Sequence, residues 1–185
     1  MIIKLNKIAP ELKPTIPDLI TRPVGKELYS RVMVNLVHIH KGEVLLLDFE
    51  GYRVLDPSFI DEFIIRLIFK SRDDENHFYV KLAQISEIAA INIASVFKSY
   101  TAVNNIRLVV ITESLIENNF FIGDLHPQER DIINYLMVNK TAIPMDIATF
   151  LEIDTARAET LLHSMHSMRT IRQLLEGNTV IYCPV

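Results

Sequence analysis

The sequence predicts an α/β protein with a mixed sheet and packed helices, followed by a smaller α+β unit. Up to Thr112, short apolar runs alternate with segments of helical periodicity, as in βα units whose sheet is at least partly parallel. Beyond that point, three helical patterns precede two β-prone runs joined by Gly177-Asn178, a strong signal for a two-residue hairpin turn.

Bulk composition excludes several classes of protein. Of the 185 residues, 49% are hydrophobic and 23% charged, which is typical of a globular chain, and the net charge of −4 argues weakly against a protein that mainly coats nucleic acid. The single Cys183 excludes an internal disulfide and a cysteine-cluster metal site. Lysines interrupt the apolar N-terminus, and no uncharged apolar run approaches the roughly 18–20 residues that span a bilayer. We therefore expect a soluble cytoplasmic protein without a membrane partner.

Four apolar or β-prone runs predict the strands of the first unit. The run EVLLLDF lacks alternation, which favours a strand covered on both faces. Pro10, Pro14 and Pro17 predict a loop after the first strand. The predicted strands are residues 2–9, 43–49, 77–83 and 106–112.

Helical spacing predicts three helices between these strands. The first begins near Pro23, ends near Gly42 and places Leu28, Val32, Leu36 and Ile39 on one face. The others are residues 57–70, with Ile60, Ile64, Leu67 and Ile68 at helical spacing, and residues 86–100, with Ser86 as N-cap.

The junction between the units is predicted in ESLIENNFFIGD, residues 113–124, where the chain becomes acidic and rich in amides. We assign residues 1–118 to the first domain and residues 119–185 to the second.

The second domain resembles a winged helix. Helices are predicted from Pro127 (apolar face Ile132, Ile133, Leu136, Met137), over 144–151, and over 155–168 (buried side Ala158, Leu161, Leu162, Met165). The last two, joined by the three-residue turn EID, resemble a helix-turn-helix, with Ala148 where the helices cross and Ile153 in the turn.

The first domain resembles a known family through TRPVGKELYSRV and LLLDFEGYRVLDPSFIDEF, within residues 21–69. These stretches resemble the STAS-like domains of unknown function, in which an arginine-bearing helix start precedes an LDF strand and a Ser-Phe-x-Asp-Glu helix follows. The matching residues are Arg22, Gly25, Leu28, Asp48, Phe49, Gly51, Ser58, Phe59, Asp61 and Glu62.

A more distant resemblance is to anti-sigma factor antagonists, which implies bacterial-type signalling with a kinase-like ATPase as partner. In those proteins a serine at the equivalent strand–helix corner is phosphorylated. Their corner is Asp-Ser-Ser-Gly, whereas this chain has Asp56-Pro57-Ser58-Phe59, so Pro57 replaces the phosphorylated serine and Ser58 remains.

Two capping arrangements at this corner stay open. Asp56 can cap the helix with Pro57 at its first position, or Ser58 can cap it with Asp61 as the capping-box partner. The functional alternative is a phosphorylated or ligand-binding Ser58, because a helix N-terminus attracts anions. The residue types favour capping as the structural role of this corner. As its functional role we predict partner binding or phosphorylation, with Asp56, Ser58, Asp61 and Glu62 as the candidate residues.

Other carboxylates and histidines do not predict catalysis. Adjacent helical residues such as Asp61 and Glu62 point about 100° apart, a poor geometry for paired acid/base work, so we expect them to be solvated or ion-paired at the surface. The family resemblance implies that they bind a partner or pair with Arg22. Asp48, in an apolar strand, is expected to bond to backbone or to an arginine. No cysteine or carboxylate cluster accompanies the histidine pairs 38/40 and 163/166, and no phosphate-binding glycine loop occurs. We predict no enzyme, no metal and no cofactor.

The third helix of the second domain is a candidate DNA-binding surface. From Asp124 onward, five Lys/Arg against eight Asp/Glu give a net charge of −3, which disfavours DNA binding by a monomer but leaves a homodimer open. The candidate DNA contacts are Thr155, Arg157, Thr160, His163, Arg169 and Arg172.

The predicted function is that of a non-enzymatic intracellular regulator of signalling or transcription. Its STAS-like domain senses a protein partner, and its winged helix contacts double-stranded DNA or a second protein. The alternative is a protein–protein interaction or assembly module that never binds nucleic acid.

Overall fold

The computed structural model describes residues 1–8, 18–73, 78–113 and 120–185. The chain forms two compact units, Met1–Asp124 and Leu125–Val185. The predicted loop at Pro10, Pro14 and Pro17 lies outside the described residues.

The first unit is built on a five-stranded mixed sheet in the order β1-β3-β5-β6-β7. The first four of these strands are parallel, as the alternation of strands and helices predicts, and β7 is antiparallel to β6. A separate parallel pair, β2 and β4, lies beside the corner. The strands are β1 Ile2–Lys4, β2 Asp18–Leu19, β3 Val44–Asp48, β4 Val54–Leu55, β5 Tyr79–Ala83, β6 Val109–Thr112 and β7 Phe121–Gly123.

Helices pack on this sheet and bury its apolar side chains. Ser86 caps α5 as predicted, since its Oγ accepts the backbone N–H of Ala89 at 3.1 Å. The fully buried side chains at the centre of the core include Phe59, Phe63, Leu45 and Leu47. The helices are α1 Leu5–Ile8, α2 Arg22–Leu36, α3 Pro57–Ile60, α4 Arg66–Arg72 and α5 Glu87–Asn104, with a π-helical turn, Asp61–Ile65, joining α3 to α4.

Two predicted boundaries in this unit are wrong. The first strand ends at Lys4 instead of residue 9, because its pairing with β3 covers three residues and Leu5 then turns fully into the core. Helix α2 ends at Leu36, before Gly42, because the chain tightens into turns in which the N–H of Ile39 bonds to the carbonyl of Leu36 at 3.0 Å.

Strand β7 was not predicted, and it moves the domain boundary. Its three residues pair with β6 in the register Val109↔Gly123, Val110↔Ile122 and Ile111↔Phe121. Phe121–Gly123 therefore belongs to the first unit, although the sequence boundary at residue 118 assigned it to the second. A strand of three residues is too short for its side-chain pattern to predict it.

The second unit contains three helices and a terminal hairpin, as the sequence pattern predicts. A three-residue turn joins α7 to α8: Glu152 has φ 54°, and the N–H of Ile153 donates to the carbonyl of Ala148 at 3.0 Å. Asp154 then caps α8 by accepting the N–H of Arg157 at 2.8 Å. The elements are α6 Pro127–Asn139, α7 Pro144–Leu151, α8 Thr155–Ser167, β8 Ile171–Glu176 and β9 Thr179–Pro184.

Replacing Gly123 by alanine should destabilise the first unit strongly. Gly123 has φ 121°, and a Cβ atom there would lie 2.4 Å from the carbonyl oxygen of Leu108. We expect the free energy of unfolding to fall by about 2 kcal/mol or more, because backbone strain and a clash with backbone act together.

Gly51 is the matched control. It has φ 89° and no heavy atom within 4 Å of the added Cβ, so Gly51→Ala introduces the strain without the clash. Urea unfolding of both variants measures the difference, and equal losses would contradict the close approach.

Candidate functional site

Asp56 begins α3 directly after β4. Its backbone N–H donates to the carbonyl of Leu19 at 3.1 Å, which continues the β2–β4 pairing. Its Oδ1 accepts the N–H of Phe59 at 2.7 Å, and Pro57, which has no N–H, occupies the first helical position. Of the two capping arrangements left open by the sequence, the structure contains the one in which Asp56 is the cap.

Ser58 does not cap the helix, so the alternative with Asp61 as its capping-box partner is wrong. The hydroxyl of Ser58 donates to Asp56 Oδ1 at 2.9 Å. The second carboxylate oxygen of Asp56 accepts the N–H of Thr21 at 3.3 Å, immediately before α2. Thr21 has φ 79°, a conformation that non-glycine residues rarely adopt. The carboxylate of Asp56 thus bonds to the start of two helices.

These bonds lower the pKa of Asp56. Partial burial raises the pKa of the carboxyl group, but the backbone hydrogen bonds from Phe59 and Thr21 and the hydroxyl of Ser58 outweigh it. Because all of these donors favour the ionised form, Asp56 is a carboxylate at neutral pH.

Beyond the cap, Asp61 and Glu62 converge on one guanidinium group. Arg22 Nη1 lies 3.1 Å from Asp61 Oδ2 and 2.5 Å from Glu62 Oε1. Arg66 Nη1 lies 3.2 Å from the other oxygen of Glu62. The side chain of Glu62 is only 11% exposed, whereas those of Arg22 and Arg66 are 52% and 47% exposed. A largely buried carboxylate therefore holds two arginines at the surface.

The π-helical turn allows this convergence. Its hydrogen bonds span five residues, so it holds more residues per turn than an α-helix and separates neighbouring side chains by less than about 100°. Both Asp61 and Glu62 lie in this turn and contact Arg22. Both carboxylates are ion-paired as expected, but the surface role expected for them is wrong for Glu62, which is 8% exposed.

Gly25 brings α2 close enough for these contacts. A Cβ atom at Gly25 would lie 3.0 Å from the Cβ of Glu62 and 3.1 Å from the carbonyl oxygen of Phe59. Helix α2 therefore approaches the π-helical turn over a residue without a side chain, one helical turn after Arg22.

Sequence reasoning missed three side chains of this site. The Arg66 guanidinium lies 4.2 Å above the ring of Tyr29, a cation–π contact. The hydroxyl of Tyr100, on α5, donates to Asp61 Oδ1, which together with burial raises the pKa of Tyr100 to about 12. The i, i+4 spacing of Glu62 and Arg66 could have predicted their pairing, but no sequence signal connects Tyr100 to a helix 39 residues earlier.

Charge pairing also lowers the pKa of Glu62. Burial raises the pKa of this carboxyl group, but the hydrogen bond from Arg22, the charges of Lys26 and Arg22, and the hydrogen bond from Arg66 outweigh it. Glu62 is therefore held in its ionised form by cations on α2 and α4.

Asp48 is a structural carboxylate at the end of β3. It accepts the N–H of Glu50 at 2.9 Å, and the Nζ of Lys4 lies 3.4 Å from its second oxygen. The expected backbone bond is present, and the expected arginine is replaced by a lysine on the neighbouring strand β1.

A cavity of about 500 Å³ lies elsewhere in the first unit, between α5 and β7. Its wall includes Phe97, Lys98, Thr101, Leu108 and Gly123 and none of the corner residues. The corner therefore does not line this cavity.

In the second unit, the candidate DNA contacts divide into exposed and buried residues. Arg157, Thr160 and His163 are exposed on α8, and Thr155 and Arg172 are partly buried. The prediction that Arg169 is a surface contact is wrong. Arg169 is 9% exposed, and its Nη1 donates to the carbonyl of His166 at 3.0 Å. The chain turns inward after α8, where Arg169 has φ 63°.

The described residues of the chain hold neither a metal site nor an activated cysteine. Within them, no group of three or more His, Cys, Asp or Glu side chains could hold a metal ion. Burial raises the pKa of the Cys183 thiol, against an opposing effect of Arg172, and a protonated thiol is a poor nucleophile.

In the described parts of the chain, no helix combines the length and apolar character needed to cross a bilayer. Comparisons with protein-family models, with curated proteins and with solved structures gave no match.

The charge on Asp56 should stabilise the fold at neutral pH and stop doing so in acid. Its folded pKa lies below the ordinary value of about 3.9, so its contribution is present above that pH and is lost as the pH falls through the folded pKa. Asp56→Asn keeps an acceptor oxygen but not the charge. We expect it to be less stable than wild type at pH 7 and to converge with wild type as the pH falls below the folded pKa of Asp56, measured by urea unfolding.

Two further variants define this prediction. Asp56→Ala removes the cap and should cost about 0.5–2 kcal/mol at pH 7. Ser58→Ala is the control, because the carboxylate of Asp56 keeps its two backbone donors and should retain most of the pH dependence. A gap between Asp56→Asn and wild type that does not change with pH would contradict the assignment.

Removing Arg22 should raise the pKa of Glu62. Arg22 supplies the shortest hydrogen bond to this carboxylate, so its loss leaves the effect of burial less opposed. Carboxyl-carbon NMR titration of Arg22→Ala measures the change, with Lys41→Ala, in the exposed turn before β3, as control. An unchanged Glu62 titration would show that the Arg22 contact does not persist in solution.

Proposed function

We propose that this chain is a non-enzymatic cytoplasmic regulator that works through protein contacts. Its first unit is a STAS-like domain that receives a protein partner, and its second unit is a winged-helix domain that passes the signal to another protein. The family assignments rest on the resemblances of residues 21–69 and of the three-helix-and-hairpin pattern in the second unit. The site of signal reception is the surface next to the corner.

One observation carries this proposal: two arginines are fixed at the surface by carboxylates beneath them. These two arginines belong to a surface of six residues from α2, α4 and α5, which we call the arginine surface. Arg22 and Arg66 keep about half of their side chains exposed while bonded to Glu62, and the ring of Tyr29 lies against Arg66. The six residues are Arg22, Lys26, Tyr29, Arg66, Phe69 and Tyr100.

Pre-positioned arginines are suited to binding. Ordering a long flexible side chain in an interface costs roughly 0.5–1.5 kcal/mol, and the existing ion pairs already restrict Arg22 and Arg66. Arginine and tyrosine are also the residues that most often dominate interface energies. The arginine surface is therefore organised before any partner arrives.

The charge of this surface indicates an acidic partner. Three cations, Arg22, Lys26 and Arg66, face the two carboxylates Asp61 and Glu62, so the surface is locally positive on a chain whose net charge is −4. Complementary charge accelerates association and excludes partners of the same sign. We infer that the partner presents carboxylates to Arg22 and Arg66.

Ser58 offers a second input to the same corner. A phosphate on its Oγ would place about two negative charges next to the carboxylate of Asp56, which now accepts the Ser58 hydroxyl at 2.9 Å. Repulsion would weaken the cap of α3 beside the arginine surface. The resemblance to anti-sigma factor antagonists suggests a kinase-like ATPase as the modifying partner, and an 80-dalton increase in intact mass would reveal it.

For the second unit, charge favours a protein over DNA. Exposed residues Gln173 to Glu176 of β8 carry no cation, and Arg169 is buried. DNA affinity depends largely on neutralising phosphates. The observation that favours DNA as a second candidate is that Arg157, Thr160 and His163 are all exposed on α8.

A photo-crosslinker on the arginine surface should capture the partner. With benzoylphenylalanine in place of Phe69, the full-length chain should form an adduct in its source cells that is absent with the crosslinker at Val34, an exposed residue of α2. Arg66→Glu should abolish the adduct and Lys41→Glu should not. Equal capture at both positions, or capture unaffected by Arg66→Glu, would contradict the proposal.

Duplex DNA tests the alternative for the second unit. In a mobility shift with random duplex at about 50 mM salt, where phosphate contacts are strongest, we expect no complex. A complex that weakens at higher salt, and that Arg157→Ala weakens for every sequence, would make DNA the second contact.

A further inference from the structure

Strand β8 has an open edge that the function proposed above does not use. Among the described residues, β8 pairs with β9 alone, whereas β9 also bridges to Ala142 on its other side. Leu174 and Leu175 of β8 are 39% and 73% exposed. An apolar edge strand with unpaired backbone groups is a template for another strand.

The hairpin geometry shows which backbone groups face the open edge. Gly177, with φ 61°, and Asn178 form a two-residue turn between the paired residues Glu176 and Thr179. Residues flanking such a turn exchange both of their backbone hydrogen bonds, and the pattern alternates along the strand. Even-numbered residues of β8 thus bond toward β9, and the N–H and C=O groups of Gln173 and Leu175 point to the open edge.

We propose that the open edge of β8 pairs antiparallel with the same edge of a second copy, about a twofold axis at Leu174. In this register Leu174 lies opposite Leu174 of the second copy, and Arg172 lies opposite Glu176 of the second copy. By symmetry this charge pair occurs twice. Gln173 and Leu175 exchange about four backbone hydrogen bonds across the axis.

Charge complementarity favours a second copy of the chain as the partner of this edge, and it also favours the register centred on Leu174. A twofold pair that uses the groups of Gln173 and Leu175 has to be centred on residue 173, 174 or 175. Centring on Gln173 puts Arg172 opposite Leu174, and centring on Leu175 puts Leu174 opposite Glu176. The pairing centred on Leu174 joins opposite charges and buries leucine against leucine, which stabilises cross-strand pairs.

The two charges are available for this contact. Neither Arg172 nor Glu176 forms an ion pair with another described residue. The Nε atom of Arg172 is buried without a hydrogen-bond partner in the described part of the chain, while the side chain as a whole is only partly buried. Glu176 of a second copy supplies an acceptor of the opposite charge.

The dimer should be weak, because a six-residue edge buries less than the roughly 1,200 Å² of stable interfaces. Sedimentation of the full chain over roughly 1–500 µM should show a monomer that becomes a dimer. R172E and E176R should each raise the dissociation constant about tenfold, since each places like charges opposite one another twice. The double variant R172E/E176R should restore dimerisation, because every contact again joins opposite charges.

A backbone variant tests the edge itself. Gln173→Pro removes the N–H that points to the open edge and none that bonds to β9, so it should abolish the dimer while the urea midpoint stays near that of wild type. Gln173→Ala keeps the N–H and is the matched control. A chain that is monomeric at every concentration overturns the proposal, as does a dimer that tolerates both Gln173→Pro and R172E.

Discussion

The carboxylate of Asp56 is the contact on which the geometry of the first unit depends, because it joins the beginnings of two helices. One oxygen bonds to the start of α3 through Phe59, and the other bonds to Thr21, immediately before α2. Thr21 has an unusual backbone conformation, and this bond helps to hold it. Since Arg22 follows directly, the same carboxylate sets where this arginine meets the π-helical turn.

In the resulting site, the negative charge of Glu62 lies below the positive charges of the two arginines. Glu62 lies beneath the surface with both oxygens paired, and its partners Arg22 and Arg66 extend outward. A buried carboxylate without donors would be costly, so the two arginines stabilise Glu62 while about half of each arginine side chain stays exposed. Gly25 is part of the same arrangement, because a side chain there would push α2 away from Glu62. Folding and the recognition that we propose therefore rely on the same contacts.

The two units differ in the chemistry they offer to partners. The first presents organised cations and aromatic rings, which match an acidic surface. The second has a negative balance of charge, and its strand β8 offers main-chain groups flanked by one arginine and one glutamate. A cationic patch selects by charge, whereas an open strand edge selects by register, so the two contacts that we propose would recognise different features of their partners.

Local sequence determined most of the secondary structure, and it predicted that a helix is capped at the Asp56 corner. Periodicity, proline and capping residues all act over a few positions, so a short segment is enough to show them. Tertiary structure decided between Asp56 and Ser58 as the cap, since the second oxygen of Asp56 is satisfied by Thr21, 35 residues away. It also brought Tyr100 to Asp61, buried Arg169 and added β7 to the sheet. These outcomes depend on contacts between distant segments, and residue spacing along one segment carries no information about them.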